Sequence, residues 1–177
     1  RVSGIATLTS QFVERVRGTK AKILDTRKTV PCLRLLDKYG VKIGGGKNHR
    51  SGLYDMVLIK DNHIKVAGGI TMAVEQVRKH LKRKFRIEVE TTNIDEVREA
   101  LKCKADIIML DNMTNEIMME AVKIINGMAK VEASGNIKLD NIRGVAETGV
   151  DFISIGVLTH SVKALDINMK FENQKEK

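Results

Sequence analysis

The chain has 177 residues, of which 42% are hydrophobic, 30% charged and only 3% aromatic. A chain of this length buries enough apolar surface to fold without a disulfide or metal staple, which excludes a small secreted scaffold and predicts a single domain over residues 1–177 with a polar tail at 170–177. The net charge of +9 is local, because residues 15–65 hold thirteen Lys and Arg against four Asp and Glu, and the rest of the chain is balanced.

The two cysteines, Cys32 and Cys103, lie far apart in the sequence and show no metal-ligand spacing. This pattern is typical of reduced thiols and predicts a cytoplasmic protein. The longest apolar stretches fall well short of the ~20 residues that span a bilayer. The sequence therefore predicts no membrane partner.

Seven short apolar runs predict buried parallel strands: residues 23–24, 41–43, 56–59, 87–89, 107–110, 129–131 and 152–155. Apolar residues at helical spacing predict helices between several of them, along residues 70–81, 93–101, 117–125 and 139–146. Strands that alternate with helices form a parallel sheet. Polar or glycine-rich residues follow every strand, which favours an open seven-stranded α/β barrel over a doubly wound sheet.

Cations follow the first three predicted strands. Arg27 and Lys28 follow the first, residues 47–50 with His49 and Arg50 follow the second, and Lys60 ends the third. Arginine binds carboxylate or phosphate oxygens through a planar fork, so the set predicts a pocket for a small anion with several charges. A solvated basic face is the alternative. Three glycines at 44–46 allow either a sharp turn or close approach of a ligand.

Carboxylates follow the middle strands. Glu90 and Asp111 are predicted to face one rim, and Glu88 lies on the same side of its strand as Glu90. Two carboxylates from neighbouring strands can hold Mg²⁺ together with phosphates, or stabilise a developing cation. A surface ion pair with nearby lysines is the alternative.

Small polar residues follow the last two strands. Ser134 and Gly135 follow the sixth, and Gly156 and His160 follow the seventh. Loops in this place often bind phosphate in α/β barrels. Simple helix capping by Ser134 is the alternative.

A long stretch of the chain resembles one enzyme family. Residues 23–64 read ILDTRKTVPCLRLLDKYGVKIGGGKNHRSGLYDMVLIKDNHI, and further matching segments lie at 88–90, 108–112, 132–137 and 149–161. Together they resemble the carboxylating nicotinate-nucleotide pyrophosphorylases, also called quinolinate phosphoribosyltransferases. The resemblance implies that quinolinate reacts with phosphoribosyl pyrophosphate, with Mg²⁺, to give nicotinate mononucleotide, pyrophosphate and CO₂ in NAD biosynthesis.

The resemblance also implies roles for single residues. Quinolinate would be bound by one set: Arg27, His49, Arg50 and Lys60. Phosphoribosyl pyrophosphate would be bound by a second set: Lys28, Glu90, Asp111, Ser134, Gly135, Gly156 and His160. Within it, Lys28, Glu90 and Asp111 would be catalytic, with Glu90 and Asp111 facing Mg²⁺ directly or through the phosphates.

The family has an N-terminal domain that this sequence does not show. In the family, a neighbouring subunit of a dimer uses that domain to cover the site and to add an arginine. The resemblance thus implies a homodimer or higher homo-oligomer, and low activity for the 177-residue chain alone.

Two alternatives stay open. A paralogue of the molybdenum-transport-associated type would share the barrel and use another acceptor. A basic nucleic-acid-binding module is the alternative from another class, but few aromatic residues are available to stack on bases. The main interpretation predicts no nucleic-acid partner.

Overall fold

The computed structural model describes residues 1–81 and 85–171. Nearly all of the predicted polar tail, residues 172–177, lies outside these ranges. The described residues form six strands: β1 (Lys22–Leu24), β2 (Val57–Ile59), β3 (Ile87–Thr91), β4 (Ile107–Asp111), β5 (Lys130–Ser134) and β6 (Phe152–Ser154). They also form eight helices: α1 (Val2–Arg15), α2 (Arg34–Ile43), α3 (Asp61–Ala67), α4 (Ile70–His80), α5 (Ile94–Lys102), α6 (Asn115–Ile125), α7 (Ile142–Glu147) and α8 (Val157–His160).

The sheet is parallel throughout and has the order β1-β6-β5-β4-β3-β2. The chain thus moves one strand at a time from β2 to β6 and places β1 beside β6, without the reversal of a doubly wound sheet. Residues at the carboxyl ends of all six strands line one cavity, so the sheet curves around it. The curved sheet stays open between its two edge strands, β1 and β2. In this gap one isolated bridge among the described residues pairs Leu24 of β1 with Lys47, which lies in the segment after α2.

The predicted α/β class and open parallel architecture are confirmed, but the predicted count of seven strands is wrong. Residues 41–43 are the last turn of α2 rather than a strand. Val41 is buried and Ile43 is exposed. Residues two positions apart would share one face of a strand, but they point to different sides of a helix. The cations at 47–50 therefore follow a helix and a turn.

The periodic segments between the strands behave as predicted. Helices α4, α5 and α6 cover the expected ranges within a few residues, and α7 is shorter than its stripe. Asn93 caps α5, since its side chain accepts the Glu96 N–H at 2.9 Å. The Glu96 carboxylate in turn accepts the Thr92 N–H at 2.6 Å, so the two side chains together bind two main-chain N–H groups at the start of α5.

The two faces of the sheet differ in chemistry. On the outer face Val89, Ile108 and Ile153 are fully buried in the apolar core against the helices. On the inner face lie Glu88, Met109 and Glu132, which are also buried. Burial of the outer face stabilises the fold by the hydrophobic effect, whereas the charged inner face forms the floor of the cavity.

Candidate active site

One cavity of about 1000 Å³ opens at the carboxyl ends of the strands. Its walls include all eleven residues that the sequence singled out: Arg27, Lys28, His49, Arg50, Lys60, Glu90, Asp111, Ser134, Gly135, Gly156 and His160. These residues come from six strand ends and from the segment after α2. The fold brings together residues that are up to 133 positions apart in the chain.

A buried carboxylate holds the segment after α2 in the cavity wall. Asp25, directly after β1, accepts hydrogen bonds from Asn48 Nδ2 at 2.6 Å and from the His49 N–H at 2.9 Å. It also pairs with Lys38 of α2, and Lys38 Nζ donates to the His49 carbonyl at 2.9 Å. Burial raises the pKa of Asp25, although Lys38 and Asn48 act in the opposite direction. This network compensates for the strand that is missing between β1 and β2.

Two arginines lie side by side at this wall. Arg27 Nε is buried without a hydrogen-bond partner among the described residues. Burial lowers the pKa of Arg50, the positive charge of Arg27 lowers it further, and the charge of Glu88 opposes both. Two guanidinium groups that repel each other, one with a free buried donor, form a receptor for an anion with more than one negative charge.

The acidic side of the cavity is built from β3 and β4. Lys60 Nζ lies 3.1 Å from Glu90 Oε2. For Glu90, this is the ion pair with a lysine that the sequence offered as the alternative to a magnesium site. Asp111 accepts a hydrogen bond from Asn112 Nδ2 at 2.7 Å, and Asn112 in turn accepts one from Asn136 at 2.9 Å. Glu90 and Asp111 therefore present oxygen atoms to the same cavity from neighbouring strands.

The loops after β5 and β6 form the remaining wall. Gly135 has φ +89°, and a Cβ there would collide with the Asn112 side chain, so the turn requires glycine. A Cβ on Gly156 would lie 3.1 Å from the His160 ring and 3.6 Å from Lys28 Cδ. Lys28 and His160 thus meet over Gly156, where a phosphate group can approach the main chain.

The sequence patterns did not identify a buried cluster at the floor of this cavity, to which His49 and Glu132 both belong. His49 Nε2 lies 3.0 Å from Glu88 Oε2 and 3.5 Å from Glu132 Oε2, and both glutamates are fully buried. Burial raises the pKa of Glu132 well above its ordinary value, and the negative charge of Glu88 raises it further. The available signal was a charged residue in the middle of each buried apolar run.

His63 and the glycine run at 44–46 lie near the cavity but serve the fold. His63 does not line the cavity, because its Nδ1 accepts the Lys60 N–H at 3.0 Å and caps α3. The glycines at 44–46 end α2 and pack against α1, where a Cβ on Gly46 would lie 2.9 Å from Thr9. Of the two possibilities for this glycine run, the structure shows the sharp turn.

Within residues 1–81 and 85–171, none of the helices has the length and apolar character that crossing a membrane requires.

Comparison with known proteins identifies the family. Residues 5–170 match the family model described as quinolinate phosphoribosyl transferase, C-terminal domain. Over 98% of its length, the chain is 49% identical to the mitochondrial quinolinate phosphoribosyltransferase (decarboxylating) 2b of Nicotiana tabacum. The match covers 54% of that protein. It is 48% identical over 96% of its length to a probable carboxylating nicotinate-nucleotide pyrophosphorylase of Synechocystis, covering 58% of it.

A solved structure agrees with these sequences. The nicotinate-nucleotide pyrophosphorylase of Ehrlichia chaffeensis superposes with a TM-score of 0.90 at 51% identity, over 93% of this chain and 60% of that one. The chain thus spans little more than half the length of the relatives that it matches. It belongs to the quinolinate phosphoribosyl transferase family and corresponds to the C-terminal domain of that family.

Proposed function

We propose that this chain forms the catalytic barrel of an enzyme that transfers a phosphoribosyl group from phosphoribosyl pyrophosphate to quinolinate. The transfer is coupled to decarboxylation and gives nicotinate mononucleotide, pyrophosphate and CO₂ for NAD biosynthesis. The observation that carries the proposal is the pairing of Arg27 and Arg50 in the same cavity as Glu90 and Asp111. Family membership agrees with it.

The arginine wall suits quinolinate. Its two adjacent carboxylates would pair with the guanidinium groups of Arg27 and Arg50 and remove their mutual repulsion. His49 and Lys60 complete this subsite. A pyridine with a single carboxylate, such as nicotinate, would leave one cation unpaired in a half-buried place, and this difference would provide specificity.

The opposite wall suits phosphoribosyl pyrophosphate. Ser134, Gly135, Gly156 and His160 would bind its phosphates, and Lys28 would lie between the two substrates. Glu90 and Asp111 fit Mg²⁺ in the chemistry of their donor atoms, since hard cations prefer carboxylate and phosphate oxygens. When bound, Mg²⁺ would neutralise charge on the departing pyrophosphate.

The chemistry follows from these positions. The quinolinate ring nitrogen attacks the ribose C1 atom as the bond to pyrophosphate breaks, and the carboxylates of Glu90 and Asp111 stabilise the positive charge on that carbon. The ring is then a pyridinium, which accepts the electron pair when the carboxylate next to the nitrogen leaves as CO₂. A proton then bonds to the ring carbon that the carboxylate has left. The fixed cations hold quinolinate in line throughout.

Location and assembly also belong to the proposal. We propose a cytoplasmic enzyme, which is supported by two free cysteines, although the tobacco relative is named mitochondrial. We propose a homodimer, as the family resemblance implies. Light scattering on the purified 177-residue chain and on a full-length relative tests the assembly.

Calorimetric titration tests the quinolinate assignment. Wild type should bind quinolinate at least about tenfold more tightly than nicotinate, and Arg50→Ala should weaken quinolinate binding by roughly 10- to 100-fold, as for loss of hydrogen bonds to a charged group. Arg98→Ala is the matched control, because Arg98 is exposed on α5 and pairs only with Asp95 among the described residues. Equal binding of the two pyridines, or no effect of Arg50→Ala, would contradict the assignment.

A further inference from the structure

Below the cavity, five buried side-chain atoms have no hydrogen-bond partner within the described part of the chain. They are His49 Nε2 and the four carboxylate oxygens of Glu88 and Glu132. Nε2 faces one oxygen of each glutamate, at 3.0 Å and 3.5 Å. Because these oxygens are buried, the two carboxylates act on the substrate only through a neighbour, and that neighbour is the imidazole of His49.

The other nitrogen of the ring determines what faces the glutamates. The Arg50 N–H donates to His49 Nδ1 at 2.8 Å. A ring nitrogen that accepts a hydrogen bond carries no proton, so the proton of the neutral ring is on Nε2. Nε2 is therefore a protonated nitrogen that lies 3.0 Å and 3.5 Å from carboxyl oxygens, without an aligned hydrogen bond to either.

This tautomer decides between two uses of the cluster. One ligand atom each of His49, Glu88 and Glu132 lies within 4.8 Å of the others, a spacing that could hold a metal ion. A metal would need the lone pair of Nε2, and Nδ1 would then carry the proton and face the Arg50 N–H with a second donor. The contact to Arg50 therefore favours a metal-free cluster in which the Nε2–H is attracted by the two neighbouring carboxyl groups.

A fixed His49 ring would restrict the main chain of Arg50, whose N–H donates to that ring. Its guanidinium is held by only one described hydrogen bond, from Nη1 to the Met56 carbonyl at 3.2 Å. The like charge of Arg27 acts on it from close by, so a loose main chain would let the two guanidinium groups separate. The hydrogen bond from the Arg50 N–H to the ring removes this freedom.

We propose that Glu88 and Glu132 are positioning residues of the quinolinate subsite: they hold the His49 ring in the orientation in which it fixes the main chain of Arg50. The inference rests on the proposed function for the identity of the ligand. It assigns a role to two residues whose carboxyl oxygens are buried, although Glu132 itself lines the cavity, and it makes His49 the link between them and Arg50.

Two double variants test whether the acceptor oxygens matter. Glu88→Gln with Glu132→Gln keeps an acceptor oxygen at each position, whereas Glu88→Met with Glu132→Met keeps similar length without one. The Met pair should weaken quinolinate binding by about tenfold or more, because the Nε2–H of His49 would lose its attraction to the two carboxyl groups. The Gln pair should bind within threefold of wild type, and both pairs should bind phosphoribosyl pyrophosphate within twofold of wild type.

Histidine-selective ¹⁵N labelling supplies a readout that packing alone would not move. The His49 signal, assigned with His49→Asn, should show a protonated Nε2 and a bare Nδ1 in wild type and in the Gln pair, and a mixture of tautomers in the Met pair. Thermal melting checks that each variant is folded. The exposed Glu120→Gln is the matched control.

Three results would overturn the proposal. The first is an unchanged tautomer and unchanged quinolinate binding in the Met pair. The second is an equal loss of both substrates in the Met and Gln pairs, which would show a packing role. The third is one equivalent of Zn²⁺ bound with loss of the Nε2 proton. If wild type does not bind quinolinate, the proposed function fails, and the tautomer of the Met pair still decides the role of the two glutamates.

Discussion

The amino end of the sheet and its inner face use carboxyl groups in opposite ways. At the amino end, Asp106 accepts the Ile87 N–H at 2.8 Å and Asp151 accepts the Val131 N–H at 3.0 Å, so each aspartate secures a neighbouring strand. On the inner face, within β3 and β5, the buried Glu88 and Glu132 have no hydrogen-bond partner among the described residues. Acidic residues of similar chemistry thus stabilise the fold at the amino end and lie at the floor of the candidate active site on the inner face.

The pKa directions express the same contrast. Burial raises the pKa of Asp151, but the Val131 N–H and Lys130 outweigh it, and the pKa is lowered overall. For Glu132, burial and the charge of Glu88 both raise the pKa. A lowered pKa means that the folded state favours the carboxylate, and a raised pKa means that it opposes the carboxylate. The buried acids of the inner face therefore lower the stability of the fold at neutral pH, next to the candidate active site.

The largest effect should come from Glu132→Gln across pH. Because the folded pKa of Glu132 is raised, its contribution to stability is complete below its ordinary value of 4.5 and is lost as pH rises toward the folded value. The variant should gain stability relative to wild type above pH 4.5, by up to about 1.4 kcal/mol per pH unit. Urea unfolding between pH 4 and 8 measures this, and a gap that is constant with pH would contradict it.

A smaller effect is expected at the amino end. Asp151→Ala leaves the Val131 N–H without its acceptor and should cost about 1–3 kcal/mol in free energy of unfolding at pH 7. The folded pKa of Asp151 is lowered, so the carboxylate stabilises the fold fully above its ordinary pKa of 3.8. The effect of the substitution should therefore shrink as pH falls below 3.8 toward the folded pKa. Quinolinate affinity should stay within twofold of wild type.

The control for this prediction is Asp95→Ala, since the Asp95 side chain is 94% exposed. Unfolding in urea at pH 7 should place it within about 0.5 kcal/mol of wild type. If Asp151→Ala were equally mild, or if it abolished ligand binding in a folded protein, the contrast between the amino end and the inner face of the sheet would not hold.

The smallest effect on stability should come from Lys60→Ala. Lys60 pairs with Glu90 at the cavity rim and is 49% exposed, and pairs of this kind contribute about 0–1 kcal/mol. The proposed function places Lys60 in the quinolinate subsite, so quinolinate affinity should fall while the urea midpoint hardly moves. A large loss of stability would place Lys60 with the structural residues of the amino end.

Local sequence patterns predicted much of this molecule. The apolar stripes of α4 and α6 identify helices because one side of each packs against the sheet. The run Val41-Lys42-Ile43 was assigned wrongly, since three residues with two branched apolar side chains fit a short strand and a last helical turn equally well. The preceding residues 34–40 continue the helix, and Gly44 ends it.

By itself, the sequence determined which residues line the cavity, because a strand that ends in charged residues within a βα unit directs them to one rim. Only the tertiary structure decided which of them meet below that rim. His49 comes from a turn after α2, and Glu88 and Glu132 come from the middles of two strands that are not neighbours. No local pattern encodes such a meeting, because it depends on the curvature of the sheet and on a turn that fills the place of a missing strand.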